Sequence, residues 1–387
     1  MKRKITLVSL VLVLVMLVTC TLFACNFNED TTYKKNHAKK LSDDSGLIGI
    51  FEGSEEIKNN LASSQYVLNE NGGSEQEVYE RENDYIYFGS YPQSLVTNSV
   101  QIELLNTFAT ELNCTWYSYD YYIANTPGDY MWYTDLELNE SKYRGVYFTS
   151  YRPYYTSFAT GTENSSQDNN GYTLGTVYWF RYEPIKWRIL SEENGYALLL
   201  ADLILDSQQF NSSADSLVFN NEGPVSVATI HANNWEYSTI RSWLNNDFYN
   251  TAFNDSQSQN IVEQSLNNTE TAYNGVNNNY ALSQRETSDK VFLLSYEDMV
   301  NEEYGFNKEG DAYDTARRKQ TSDYAKIQGA CPSTNPNYSG KGWWWLRSPD
   351  SFCSCDASGV RNDGRLDGGY YVLSTSSGVV PALMIKL

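Results

Sequence analysis

Apolar and polar positions alternate in different ways along the chain, and the changes mark its organisation. Ile5 to Val18 is an almost continuous apolar run behind Lys2, Arg3 and Lys4, and it leads into Leu22-Phe23-Ala24-Cys25. From Asn26 to about Asn83 no hydrophobic period is sustained. Folded patterning starts near Tyr85, where Tyr85-Ile86-Tyr87-Phe88 reads as a strand ended by Gly89 and Pro92. Ile185 to Leu190 and Tyr196 to Leu200 flank Asn194-Gly195, a dipeptide that accepts positive φ at little cost, so a β-hairpin is predicted there. Ile240, Trp243, Leu244 and Phe248 recur at helical spacing behind Ser238, an N-cap candidate. Further short helices are predicted around Gln259 to Leu266, from Tyr296 to Asn301 behind the capping pair Ser295 and Asp298, and from Asp323 to Gln328 ahead of Gly329. The last third returns to strands at Trp343 to Arg347, Gly359 to Arg361, Tyr370 to Leu373 and Val379 to Leu387. Strands at both ends with helices between predict an α+β domain closed by pairing of its terminal strands.

The apolar run near the start is shorter than the roughly 20 residues that span a bilayer. Together with its basic flank, it resembles a bacterial lipoprotein signal, which implies that residues 1–24 are removed and that Cys25 carries the lipid. Residues 25–83 then form a polar tether, and 84–387 a single α+β domain. Within it, 97–176 is a tyrosine-rich insertion and 177–387 the core. The expected location is extracytoplasmic, with the chain anchored to the bacterial cell membrane.

Charge and composition remove several functions. Asp and Glu number 48 against 28 Lys and Arg, a net charge of −20, which disfavours nucleic acid as a partner. The 2 His, His37 and His231, leave no material for His-based triads or multi-His metal sites. With 32 Tyr and 9 Trp the chain has ample aromatic mass for a core.

Six ordered segments carry a family resemblance: Tyr87-Phe88-Gly89-Ser90-Tyr91-Pro92-Gln93, Pro184 to Leu190, Ser238 to Asn245, Asp289 to Ser295, Trp345-Leu346-Arg347-Ser348-Pro349, and Gly378-Val379-Val380-Pro381-Ala382-Leu383. They resemble the domain of unknown function 6273 family, which brings no established activity. The Trp-Leu-Arg-Ser segment, the Gly-rich hairpin and the terminal Gly-Val-x-Pro strand are also similar, more loosely, to C-type-lectin-like domains of the formylglycine-generating-enzyme type. That likeness implies an antiparallel sheet, few short helices, paired terminal strands and long loops.

Candidate chemistry is sparse. Aromatic faces stack on sugars while amides and carboxylates hydrogen-bond hydroxyls, so Trp235 with Asn233, Trp344 with Arg347, and Asp356, Asn362 and Asp363 are candidate ligand-binding residues. For each tryptophan taken singly core packing is the favoured reading, since Trp343 and Trp345 share one strand face and Trp344 the other, and alternation must bury some of them. The Glu-Pro-Asn, Gln-Pro-Asp and Trp-Asn-Asp triplets of calcium lectins are missing, and Asn362-Asp363-Gly364 suits a tight turn, so no metal site is expected. Without Cys20 and Cys25 there remain Cys114, Cys331, Cys353 and Cys355. Cys353 and Cys355 read as a structural disulfide or free thiols, or as a soft pair for copper(I). The leading expectation is a non-catalytic binding module without cofactor, for an extracellular glycan or protein ligand. The alternatives are a copper or thiol oxidase like the formylglycine-generating enzymes, and a structural envelope protein.

Overall fold

The computed structural model describes residues 78–119, 130–152, 166–215, 217–220, 227–269, 280 and 284–387. The leader, Cys25 and the tether through residue 77 lie outside them, as does Tyr154-Tyr155. The elements that position the site are β1 (Tyr85–Leu95), α1 (Ser99–Glu111), β2 (Met131–Leu138), β3 (Ser141–Phe148), β4 (Tyr178–Glu193), β5 (Tyr196–Ala201), α2 (Thr239–Trp243), α3 (Asp323–Gln328), β6 (Trp344–Pro349), β7 (Asp356–Val360), β8 (Leu366–Tyr371) and β9 (Ala382–Lys386).

The long strand β4 organises the larger sheet. One edge carries β1 in antiparallel register, and the other carries β3 and then β5. Asn194 and Gly195 join β4 to β5 with φ of 53° and 82°, the positive values that this pair tolerates. On its far side β5 receives β9, with Ala382 opposite Leu200. The terminal strands β1 and β9 therefore share a sheet but do not pair, contrary to expectation. The β4–β5 hairpin stands between them because both of its outer edges are long and apolar enough to take a partner. A smaller sheet runs β8, β7, β6, Gly378–Val379 and Asp206–Ser207, with β6 parallel to Gly378–Val379 and the other neighbours antiparallel. Short helices and mostly antiparallel sheets make the domain α+β. Among the described residues no helix is long and apolar enough to cross a membrane.

The helix at Ser238 forms as predicted: the Ser238 hydroxyl accepts from Arg241 N–H, and Ile240, Trp243, Leu244 and Phe248 are buried. Ser295 and Asp298 make a full capping box, and Gly329 ends α3 with φ of 120°. Gln259 to Leu266 is not helical. Ile261 and Val262 pair with Ile385 and Met384 of β9, and Gln264–Leu266 pairs with Thr287–Asp289, so tertiary strand pairing overrides local spacing. The tether gives way to structure slightly early, since Glu80–Glu82 already pairs with β1. Within 97–176, β2 and β3 extend the main sheet beyond β4, and α1 packs Leu105 and Phe108 with Leu136, Leu138 and Trp179 in a separate small core.

Candidate functional site

The three consecutive tryptophans have different fates. Trp344 and Trp345 are both fully buried, because β6 is covered on both faces. Their indole N–H groups donate to the carbonyls of Arg317 (3.2 Å) and Gln208 (2.8 Å). Trp343 lies just before the strand begins and is 38% exposed. Its ring meets Tyr370 edge-on with centroids 5.0 Å apart, and the Arg361 guanidinium lies 5.8 Å from its centroid.

Arg361 opens the turn between β7 and β8, and that turn gathers two more arginine–aromatic pairs. Arg365 lies 4.8 Å from the ring centroid of Tyr313, which is 61% exposed, and Arg318 lies 5.1 Å from that of Tyr338. Hydrogen bonds fix all three cations. Arg361 Nε donates to Asp367 at 2.6 Å, Arg365 Nε to Asp363 Oδ2 at 2.9 Å, and Arg318 Nε to the Asp363 carbonyl at 3.0 Å. Burial pushes the Asp363 carboxyl up, but Arg365 outweighs it and leaves the group below its usual range. Asp367 and Asp363 are thus arginine clamps rather than calcium ligands. Beneath the turn, buried Arg317 donates to the carbonyls of Met299 (2.9 Å), Glu309 (3.2 Å) and Gly364 (3.4 Å). The outcome is a platform of three aromatic rings, each with a guanidinium group over it, tied by hydrogen bonds to the β7–β8 turn. Such a surface stacks on the apolar faces of a sugar and donates to its oxygens.

The residues singled out from sequence fall into three groups. Asn362 and Asp363 sit in the platform turn. Asn233 and Asp356 meet at a neighbouring loop: Asn233 is buried and its amide donates to the carbonyls of Cys353 and Asp356, both at 2.9 Å. Trp235, Trp344 and Arg347 are structural in placement. Trp235 is fully buried, and Arg347 Nη1 holds Asp298 at 2.6 Å and the Leu293 carbonyl at 3.0 Å. Neither buried indole offers a free face. Sequence reasoning passed over Trp343 as the exposed member of its triplet, and with it Tyr313, Arg318, Tyr338, Arg361 and Arg365. The Arg-Asn-Asp-Gly-Arg run around a turn was the available signal.

A concavity of about 540 Å³ opens beside α2 and is lined by Tyr237, Arg241, Asn245, Glu263 and Lys290 among others. Its central polar groups are engaged internally. Arg241 holds Asp289 at 2.6 Å, and the Asn245 amide donates to Arg241 O at 3.0 Å and Val291 O at 2.9 Å. These bonds fasten α2 to the strands beneath it.

Cys353 and Cys355 form a disulfide in the loop held by Asn233, whereas Cys114 and Cys331 are not disulfide-bonded. Among the described residues Cys353, Cys355 and Asp356 make the one cluster with metal-ligand character. As a disulfide the two sulfurs are not thiolate ligands.

The family described as Domain of unknown function (DUF6273) matches residues 194–387, which include α2, the buried Trp235, Trp344 and Trp345, and the whole platform. No curated protein and no solved structure matches the chain.

Proposed function

The chain belongs to the DUF6273 family, and from that premise we propose that it is a non-catalytic binding module that presents the β7–β8 platform to an extracellular glycan. One observation carries this reading: Trp343, the exposed ring of an otherwise buried tryptophan triplet, stands beside Arg361 at a turn that also displays Tyr313 with Arg365 and Tyr338 with Arg318. A partly solvated indole with a fixed guanidinium over its ring offers a pyranose both apolar surface and hydrogen-bond donors. The rigid turn lowers the ordering entropy that binding must overcome. The basic start, apolar run and Cys25 support export and lipid anchoring, which would display the domain outside the cytoplasm. The C-type-lectin-like arrangement is part of this proposal.

A glycan array probed with the full-length chain tests the reading. Binding that is lost in Trp343→Ala and retained in Tyr196→Ala, at an exposed tyrosine on the β4–β5 hairpin outside the platform, is the expected result. A blank array, or binding indifferent to Trp343, overturns it.

A further inference from the structure

Arg152 is an unusual cation in this fold. It is 6% exposed, and no carboxylate among the described residues forms a salt bridge with it. Nη1 donates to the carbonyls of Ser207 (3.4 Å) and Gln328 (3.1 Å) and to Gln328 Oε1 (3.4 Å). The buried Nε–H has no acceptor at all. Asp206 is the acidic group that feels its charge, but its oxygens are taken by the Tyr91 hydroxyl (2.6 Å), the Ser207 N–H (2.6 Å) and the Gln208 amide (3.0 Å).

Arg152 lines a small cavity of about 10 Å³ with Gln208, Gln209, Thr239 and Thr375, closed on the apolar side by Ile240 and Trp243. None of these residues is acidic, and the Gln208 and Gln209 amides, each with one N–H held by Asp206 or by the Leu373 carbonyl, keep a second N–H. Such a lining repels a cation and suits an anion. The volume is near that of a single water-sized occupant, which excludes phosphate and sulfate and leaves a water or a one-atom ion, between which charge must decide. A buried guanidinium with an unmet N–H is costly, and an anion at this point would supply both the missing acceptor and the missing charge.

We propose that the cavity beside Arg152 is a binding site for a monoatomic anion, chloride under ordinary conditions, which joins Arg152 to α2 and to the residues that follow the Asp206–Ser207 strand.

The test uses the full-length chain and halide salts. Thermal unfolding is followed in sodium chloride and in sodium gluconate at equal ionic strength. A saturable rise of roughly 2 °C or more in chloride alone is expected, from preferential binding to the folded state. In crystals grown with bromide, an anomalous peak is expected within hydrogen-bonding distance of Arg152. The Arg152→Gln variant should lose the chloride-specific shift. If that variant does not fold, Thr239→Val provides the second probe and should reduce the shift. Equal melting temperatures in the two salts together with no bromide peak would show a water in the cavity and overturn the proposal.

Discussion

The indole N–H of Trp235 donates to Asp289 Oδ2 at 3.0 Å, while the opposite oxygen of the same carboxylate holds Arg241 Nε at 2.6 Å. Thr287 adds a hydroxyl at 2.8 Å. One nearly inaccessible carboxylate thus ties α2, the tryptophan before it and the strand at Thr287–Asp289 into a unit. Replacing it strands a buried indole N–H and a partly buried guanidinium together. Asp289→Ala should therefore destabilise the domain by roughly 3–5 kcal/mol, the range for breaking a buried pair from one side. Urea unfolding measures this, and a loss below 1 kcal/mol would show that the network is dispensable.

The tryptophan triplet predicts a separation of stability from binding. Trp345→Ala removes a fully buried ring and should destabilise by about 3–5 kcal/mol. Trp343→Ala removes a partly solvated ring and should leave the unfolding midpoint within about 1 kcal/mol of the parent. Paired denaturation curves decide the point, and similar losses for both would contradict the exposed placement of Trp343.

Gly364 has φ of 86°, and an added Cβ would collide with the Asp314 carbonyl. Gly364→Ala is expected to distort the turn, loosen Arg318 and Arg365 from Asp363, and destabilise by more than 1 kcal/mol. Loss of platform binding should exceed that of a surface variant of equal stability. Unchanged binding and stability would show that the turn geometry is not required.

Two buried groups set opposing pH trends. Burial lifts the Asp206 carboxyl from 3.8 to about 6, against hydrogen bonds from Tyr91, Ser207 and Gln208. Between those values the folded chain holds a proton that the unfolded chain has released. This group's contribution is full below pH 4 and lost as pH rises through about 6, on the order of 3 kcal/mol. Burial drops Lys319 from 10.5 to about 8, against attraction to Asp202. Its contribution runs the other way, with stability rising from pH 8 towards pH 10.5 while the folded lysine has lost its proton and the unfolded lysine still holds one. Unfolding free energies of parent and Asp206→Asn at pH 4.5 and 7.5 test the first trend. The variant should gain on the parent as pH rises, and a constant difference would contradict it.

Much of the architecture was legible where local chemistry and tertiary context agree. Asn194-Gly195 announced the central hairpin, Ser238 and Ser295 announced helix starts, and Gly329 announced a helix end, because each makes its own backbone conformation favourable. Terminal pairing failed because β4 and β5 both offer outer edges, and sequence alone does not rank edges. The apolar spacing of Gln259 to Leu266 suited a helix, yet β9 offered Ile261 and Val262 a ladder. The helix α1 was missed although Leu105, Phe108 and Ala109 recur at helical spacing. At the site, alternation along a half-exposed strand would have separated Trp344 from its neighbours. Since β6 is buried on both faces, strand start rather than strand face decides which indole meets solvent. The arginine pairs of the platform come from segments about 20–50 residues apart, and nothing local in the sequence joins them.

The central claim is that the exposed indole and the guanidinium groups beside it form the binding surface. Isothermal titration of the full-length chain with an array-selected glycan, compared with Trp343→Ala and Arg361→Gln, addresses it most directly. Stacking and charge-assisted donation predict at least about a tenfold loss of affinity for each variant, with folding intact. Parent-like affinity in both would contradict the account.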